Sequence, residues 1–237
     1  MTSPPFLSFW FDCDSTLSSI EGVDEICRWR DEDVRAEIES LTTRAMEGEI
    51  SLEEIYPTRL ELLAPHRTEI DKIGQLYVER MLPWTKEVVA ALHHLGKIVG
   101  IVSGGIEQAV RVLAAEIGIG NDLVHAVPLI FNEDGSYQGF NQRSPLWQNG
   151  GKLTVMRNSA QRPAVFIGDG VTDLETRPAI DLLVGFGGVQ ARTAVREGAD
   201  IFLDRPDLRC LLDIALDDDE KGALGDDPRF APLLLDD

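Results

Sequence analysis

Cysteine and long apolar runs are both scarce in this sequence. Its 237 residues contain three cysteines, at positions 13, 27 and 210, and no CxxC pair. An odd number of widely separated cysteines argues against a disulfide framework and favours free thiols in a reducing compartment. No run approaches the roughly 18 consecutive apolar residues that a membrane-spanning helix needs. We therefore expect no transmembrane segment.

The beginning of the chain lacks a basic region. Residues 1–5 lead directly into an apolar run, whereas a secretory signal combines positive charge with a longer apolar stretch. This pattern argues against a signal peptide and predicts a cytoplasmic protein.

Positive charge is heavily outnumbered by negative charge. The chain has 22 Lys and Arg residues against 41 Asp and Glu residues, a formal net charge of −19 at pH 7. Such a chain repels nucleic acid and anionic membranes, so we expect neither as a partner. It also repels phosphate esters, so a phosphate ligand would need a divalent cation and a few local Lys or Arg side chains. Eight acidic residues lie in residues 217–237, which we expect to form a solvated, partly mobile acidic tail.

Strand-like apolar runs alternate with helical periodicity over most of the chain. Such runs occur at residues 6–11, 97–102, 164–167, 182–186 and 200–203. Residues 18–78 differ, because apolar residues recur there every three or four positions and predict several helices, separated at Pro57 and Pro65. The predicted fold is α/β: a Rossmann-like, mostly parallel sheet with helices on both faces and a small inserted helical cap. The expected division is a core of residues 1–17 and 79–216, a cap of residues 18–78, and the acidic tail.

Four polar clusters follow predicted strands or begin predicted helices. They are DCDST at residues 12–16, SGG at residues 103–105, GGK at residues 150–152 and GDGVTD at residues 168–173. Ligands of open α/β sheets bind beyond the carboxyl ends of the strands, so we expect the clusters to meet there. Taken singly, each has an ordinary explanation, such as a polar turn, a strand–helix turn of small residues or a surface lysine.

The carboxylates of these clusters suit metal binding and proton transfer. Asp12 and Asp14 can point into one pocket as the chain leaves the first strand, one as nucleophile or metal ligand and the other as acid or base. Asp169 offers an oxygen ligand to a hard cation, and Asp173 lies four residues further on, where it can face the same pocket.

The other two clusters suit phosphate. The SGG segment is expected to open a helix, where glycines allow close approach and backbone amides favour an anion. Lys152, at the start of another helix, can neutralise phosphate charge. Carboxylates, a hydroxyl, glycine amides and a lysine together indicate Mg²⁺-assisted phosphoryl transfer.

The four clusters, in this order, resemble the motifs of the haloacid dehalogenase-type phosphatases. The resemblance extends from about residue 6 to residue 216 and leaves the acidic tail unmatched. The helical insert is similar to the small cap of the phosphoserine phosphatase branch: MEG at residues 46–48 and RLELL at residues 59–63 have matching spacing, as does Glu21, seven residues after Asp14.

The resemblance implies a role for each residue. It makes Asp12 the nucleophile that forms an aspartyl-phosphate, and Asp14 the acid that protonates the leaving alkoxide and then activates water. The implied Mg²⁺ ligands are Asp12, Asp14 through its backbone carbonyl, and Asp169. The remaining implied roles are phosphoryl binding, by Ser103, Gly104 and Lys152, and orientation of the metal shell, by Asp173.

The expected substrate depends on two residues of the insert. Phosphoserine carries a carboxylate, which Arg59 can bind bidentately, and an ammonium group, which Glu21 can pair with. Without the resemblance, Glu21 could simply be an acidic residue at a helix N-terminus and Arg59 a solvated helix residue. The favoured activity is hydrolysis of O-phospho-L-serine by a monomer or homodimer.

Three alternatives stay open at this point. The substrate could be another small phosphomonoester, such as a sugar phosphate or a methionine-salvage intermediate. The protein could be a phosphotransferase that uses an alcohol acceptor instead of water. It could also be a catalytically silent binding protein, although the intact set of clusters argues against that.

Overall fold

The computed structural model describes residues 5–46 and 51–235, and it contains eight strands within them. These are β1 (Ser8–Phe11), β2 (Ile98–Ile106), β3 (Val124–Val127), β4 (Leu129–Phe131), β5 (Tyr137–Phe140), β6 (Ala164–Gly168), β7 (Leu182–Phe186) and β8 (Ile201–Leu203). Six of them form one sheet in the order β3-β2-β1-β6-β7-β8, and every neighbouring pair is parallel. The β4–β5 pair forms a separate antiparallel hairpin.

Eleven α-helices accompany these strands in the described residues. They are α1 (Gly22–Arg28), α2 (Glu32–Met46), α3 (Leu52–Leu63), α4 (Arg67–Glu79), α5 (Thr85–His94), α6 (Glu107–Glu116), α7 (Gly151–Ser159), α8 (Val171–Leu174), α9 (Thr193–Gly198), α10 (Cys210–Ala215) and α11 (Asp218–Gly225). The expected Rossmann-like α/β fold with a helical insert is confirmed. None of these helices is both long and apolar enough to cross a bilayer.

The central strand β1 explains where the site forms. Its aromatic residues Phe9, Trp10 and Phe11 have no exposed surface, because β1 pairs on both edges with β2 and β6 and its side chains pack inside the core. A parallel strand that is covered on both faces has a continuous run of apolar residues in its sequence, and β1 shows this pattern. The chain turns polar at Asp12, where β1 reaches the carboxyl edge of the sheet.

Strand β2 is longer than the sequence predicts. It continues through the SGG segment to Ile106, and helix α6 begins only at Glu107. The prediction that SGG opens a helix is therefore wrong. Ile106 is buried and pairs with Val127 after an irregularity in the register. Burial of this side chain explains why the strand extends beyond the two glycines.

The insert lies between β1 and β2 and consists of helices α1 to α4. Pro57 lies inside α3 rather than at a helix end, so the predicted break there is wrong. Helix α4 packs closely on the core helix α6: a Cβ added at Gly74 would come within 2.6 Å of a methyl carbon of Val112. One end of the insert is therefore fixed to the core by close packing.

The acidic C-terminal segment is folded against the core up to residue 235. Leu224 and Leu233 are fully buried, and Glu220 forms an ion pair with the buried Lys97, which also donates a hydrogen bond to the Phe6 carbonyl. The expectation of a solvated, partly mobile tail is wrong for these residues, because apolar side chains spaced among the acidic ones anchor the segment.

Candidate active site

A cavity of about 370 Å³ lies at the carboxyl edge of the sheet, under the insert. Eight of the predicted site residues line it: Asp12, Asp14, Glu21, Arg59, Ser103, Gly104, Lys152 and Asp169. Glu21 and Arg59 come from the insert and the other six from the ends of core strands or from a helix start. The structure thus brings the four clusters together, as the strand-end rule predicts.

Lys152 lies between two buried carboxylates. Its Nζ is 2.8 Å from Asp12 Oδ2 and 2.6 Å from Asp173 Oδ1. Burial alone would lower the pKa of Lys152, but Asp12 and Asp173 raise it above its ordinary value. Burial raises the pKa of Asp173 to about 7, even though Lys152 acts in the opposite direction. Lys152 is therefore a permanent cation beside Asp12, and Asp173 holds it in place.

Asp12, Asp169 and Asp173 form the only cluster among the described residues that could hold a metal ion by side chains alone. One carboxylate oxygen from each lies within 4.8 Å of the others, and all three residues are buried. The Asp14 side chain is not in this cluster. Asp169 Oδ2 is buried, and among the described residues it forms an ion pair with Arg192. A donor set made only of buried carboxylate oxygens fits a hard divalent cation.

Asp14 has different surroundings from Asp12. Its Oδ1 accepts hydrogen bonds from the Tyr77 hydroxyl at 2.6 Å and from the Gly22 amide at 2.7 Å. Burial, followed by the negative charges of Glu21 and Asp12, raises the pKa of Asp14 to about 7, although the two hydrogen bonds act in the opposite direction. A carboxyl group with this pKa is available near neutral pH both as a proton donor and as a proton acceptor.

The SGG segment lies directly against Asp14. Ser103 Oγ is 3.4 Å from Asp14 Oδ2 and accepts a hydrogen bond from the Gly105 amide. A Cβ at position 105 would come within 2.6 Å of Asp14 Oδ2, so only glycine allows this approach. From the insert, Tyr56 donates a hydrogen bond to the Gly104 carbonyl at 3.1 Å.

Glu21 and Arg59 line the cavity with different partners. Glu21 accepts a hydrogen bond from Ser15 Oγ at 2.7 Å, and burial raises its pKa. Arg59 pairs with Asp24 at 2.6 Å, and its Nε is buried without a hydrogen-bond partner in the described residues. Arg59 therefore keeps unused hydrogen-bonding capacity. Glu47 and Gly48 of the predicted cap match lie outside the described residues.

Sequence reasoning missed Tyr56, Arg192 and Tyr77, which all contact residues of the site. Arg192 contacts the Asp169 carboxylate, donates to the Asp169 carbonyl at 2.9 Å and lies 3.6 Å from Glu21. It follows the end of β7, so the strand-end rule could have identified it. Tyr77 lies near the end of helix α4, and its position in the sequence gives no sign that it reaches Asp14.

Comparison with known proteins agrees with this geometry. The sequence profile described as haloacid dehalogenase-like hydrolase matches residues 9–176. The phosphoserine phosphatase of Mus musculus is 33% identical over 193 residues, which cover 80% of this chain and 85% of the relative. That of Methanocaldococcus jannaschii is 30% identical over 209 residues, covering 85% and 94%.

Solved structures give the same result. A substrate-bound phosphoserine phosphatase complex has a TM-score of 0.72 at 25% identity and covers 91% of this chain and 100% of its own. A phospho-aspartyl intermediate analogue of phosphoserine phosphatase has a TM-score of 0.71 at 26% identity, covering 90% and 100%. The resemblance found in the motifs is confirmed, and this chain belongs to the haloacid dehalogenase-like hydrolases.

Proposed function

We propose that this protein hydrolyses O-phospho-L-serine to serine and phosphate, with Mg²⁺ as cofactor and through an aspartyl-phosphate on Asp12. One observation carries the proposal. Asp12 and Asp14 share a cavity but have different neighbours. Asp12 lies against the Lys152 cation, whereas burial, followed by the negative charges of Glu21 and Asp12, raises the pKa of Asp14 to about 7. Carboxyl groups separated in this way serve as nucleophile and as acid or base.

In the first step Asp12 attacks phosphorus and Asp14 protonates the departing serine oxygen. An alkoxide is a poor leaving group, so a positioned acid contributes substantially to this step. In the second step water attacks the aspartyl-phosphate, and Asp14 takes the proton from that water. Asp14 is thereby returned to its protonated form, and inorganic phosphate is released.

Phosphate binding falls to the residues that face Asp12. Lys152 contributes positive charge, while Ser103 and Gly104, which also line the cavity, contribute a hydroxyl and a glycine backbone. Because Lys152 stays charged, it also reduces the repulsion between the Asp12 carboxylate and a phosphate dianion.

The acidic cluster would hold the metal. Asp12, Asp169 and the Asp14 backbone carbonyl are the proposed ligands, with Asp173 supporting them through Lys152. Mg²⁺, when bound, offsets the negative charge of Asp12 and the phosphate together. Such a local cation is needed because the chain carries a net charge of −19.

The choice of phosphoserine rests on the insert and on the relatives. We propose that residues 18–78 form a cap, since Glu21, Tyr56 and Arg59 line the cavity from this segment. In this proposal Arg59 binds the substrate carboxylate and Glu21 pairs with the ammonium group; both residues line the cavity. The curated relatives of similar length are named phosphoserine phosphatases. A cytoplasmic location is proposed with this activity, because all three cysteines are free.

A panel of phosphomonoesters tests the proposal. Phosphate release with Mg²⁺ is compared for wild type, Asp12→Asn and Arg59→Ala, with Arg67→Ala as a control for loss of an arginine from the insert. We expect wild type to prefer phosphoserine, Asp12→Asn to be inactive towards every ester and Arg59→Ala to lose the preference alone. Equal rates on all esters would refute the substrate, and activity in Asp12→Asn would refute the mechanism. Phosphate transfer to added homoserine in place of release would indicate a phosphotransferase.

A further inference from the structure

Among the described residues, the insert donates hydrogen bonds to one carboxylate oxygen of Asp14, namely Oδ1. We propose that Tyr77 is a positioning residue which, with the Gly22 amide, reserves Asp14 Oδ1 as a hydrogen-bond acceptor and leaves Oδ2 to carry the transferred proton. This inference deepens the proposed function and rests on it.

Two donors converge on Oδ1. The Tyr77 hydroxyl lies 2.6 Å from it and the Gly22 amide nitrogen 2.7 Å. The amide can only donate, so a proton on Oδ1 would face another donor and lose that hydrogen bond. In a buried site an unmade hydrogen bond is costly. The proton therefore resides on the other oxygen.

Oδ2 is the oxygen on the substrate side. Its hydrogen-bond partner in the described part of the chain is the Ser103 hydroxyl at 3.4 Å, which is long for an oxygen–oxygen hydrogen bond. Ser103 Oγ already accepts from the Gly105 amide, and both residues line the cavity. A hydroxyl can accept as well as donate, so this contact tolerates a proton on Oδ2.

Tyr77 is held firmly enough to fix the rotamer of Asp14. Its side chain has no exposed surface, and its helix is packed on α6 through Gly74 and Val112. Gly22 leaves no spare room, since an added Cβ there would clash with the Tyr77 hydroxyl and come within 3.0 Å of its ring carbon. The hydroxyl therefore occupies one position between Gly22 and Asp14.

Both proton transfers use the same atom. As the bond from Asp12 to phosphorus forms and the bond from phosphorus to the serine oxygen breaks, the proton on Asp14 Oδ2 moves to that oxygen. As water then bonds to phosphorus and the aspartyl-phosphate bond breaks, a water proton returns to Oδ2. Asp12 regains its electron pair, and no other reactant is consumed.

Tyr77→Phe tests this role when two substrates with different leaving groups are compared. The p-nitrophenolate of p-nitrophenyl phosphate departs without an acid, whereas the serine alkoxide of phosphoserine needs one. A hydrogen bond to a charged group contributes enough to predict a fall of about 10- to 100-fold in kcat/KM for phosphoserine. The kcat/KM for p-nitrophenyl phosphate should change by less than about threefold, since phosphorylation then needs no acid. The kcat for p-nitrophenyl phosphate should fall, because hydrolysis of the phosphoenzyme still needs Asp14 as a base.

Gly22→Ala supplies a second variant that keeps every hydrogen-bonding group. Its Cβ would displace the Tyr77 hydroxyl, so it should reproduce the Tyr77→Phe pattern. Tyr137→Phe, in the hairpin away from the cavity, is the control and should match wild type. If phosphoserine is a poor substrate, the alkyl phosphate of the panel that wild type hydrolyses fastest replaces it.

The outcomes separate this inference from the proposed function. Equal losses of kcat/KM on both esters in Tyr77→Phe, or no loss on either, with Asp12→Asn inactive, would overturn the role of Tyr77 and leave the phosphatase mechanism standing. Activity in Asp12→Asn would overturn both.

Discussion

Asp12 and Asp14 are only two residues apart, yet they meet different environments. Asp12 directly follows β1 and Asp14 begins the turn after it, so both enter the cavity at the same strand end. Asp12 is nearest to Lys152, whereas Asp14 turns towards Tyr77 and the Gly22 amide. The residues that surround the two carboxyl groups come from distant parts of the chain. Because these neighbours differ, the two carboxyl groups have different chemistry.

Asp14→Asn should allow phosphorylation by p-nitrophenyl phosphate but slow the hydrolysis of the phosphoenzyme. Loss of a general base typically costs about 10²- to 10⁴-fold in turnover. We expect a burst of p-nitrophenolate stoichiometric with the enzyme, followed by a slow steady state, in rapid-mixing experiments. A steady-state rate equal to that of wild type would contradict the role of Asp14.

The raised pKa of Asp14 also predicts a pH dependence of stability in the metal-free protein. Its pKa is 3.8 when unperturbed and about 7 in the folded protein, so the native state binds the proton more tightly than the unfolded state does. This stabilisation is fully present below about pH 4 and is lost as the pH rises through about 7. The free energy of unfolding, measured by urea denaturation in the presence of a chelator, should decline less steeply between these pH values for Asp14→Asn than for wild type. Parallel curves would contradict the shift.

At the scale of elements, periodicity predicted the sheet and the insert but not where elements end. Strand β2 passes through the glycines because Ile106 is buried beyond them, and α3 continues through Pro57. Both outcomes depend on tertiary packing, which local propensity does not contain. The contact of Tyr77 with Asp14 spans 63 residues, so no local pattern could reveal it.

Gly151→Ala tests how the start of α7 places Lys152. An added Cβ would come within 2.7 Å of the Pro145 carbonyl carbon and 3.0 Å of the Leu146 Cα, and backbone atoms yield little. Overpacking of this kind costs about 1–3 kcal/mol of unfolding free energy, and the shift of Lys152 should weaken inhibition by inorganic phosphate.

Gly222→Ala, in α11, is the matched control. A Cβ there meets nothing within 4 Å, so the substitution should be neutral or stabilise by up to about 1 kcal/mol through helix propensity. Equal effects of the two substitutions on phosphate inhibition would contradict the positioning role of Gly151.

At the scale of the whole molecule, the C-terminal segment belongs to the folded unit. A variant that ends at Leu216 loses the Glu220–Lys97 ion pair and the buried side chains of Leu224 and Leu233. Each buried leucine contributes roughly 1.5–3 kcal/mol, so thermal unfolding should occur at a clearly lower temperature. A variant that lacks only residues 236 and 237 is the control, and equal melting temperatures for the two variants would contradict this packing.

The sequence sufficed for the residues at strand ends and failed for those brought in from elsewhere. Asp12 and Asp169 directly follow two strands, and Ser103 lies in the last part of β2. These three strands lie side by side in a parallel sheet, so topology dictates that the residues meet. The folding of the acidic segment could not be predicted, because a few apolar residues, such as Leu224 and Leu233, pack against the core although the segment is rich in acidic residues. The overall charge argues against binding an anion, but the cavity places Arg59, Lys152 and Arg192 among its carboxylates.

The most direct test of the account is to locate the phosphoryl group on the protein. Asp14→Asn is mixed with p-nitrophenyl phosphate and Mg²⁺, quenched in acid and digested, and the phosphorylated peptide is identified by mass spectrometry, with the Asp12→Asn/Asp14→Asn double variant as control. The account predicts one phosphoryl group on Asp12 and none in the double variant. A phosphoryl group on another residue, or turnover with no protein adduct, would contradict it.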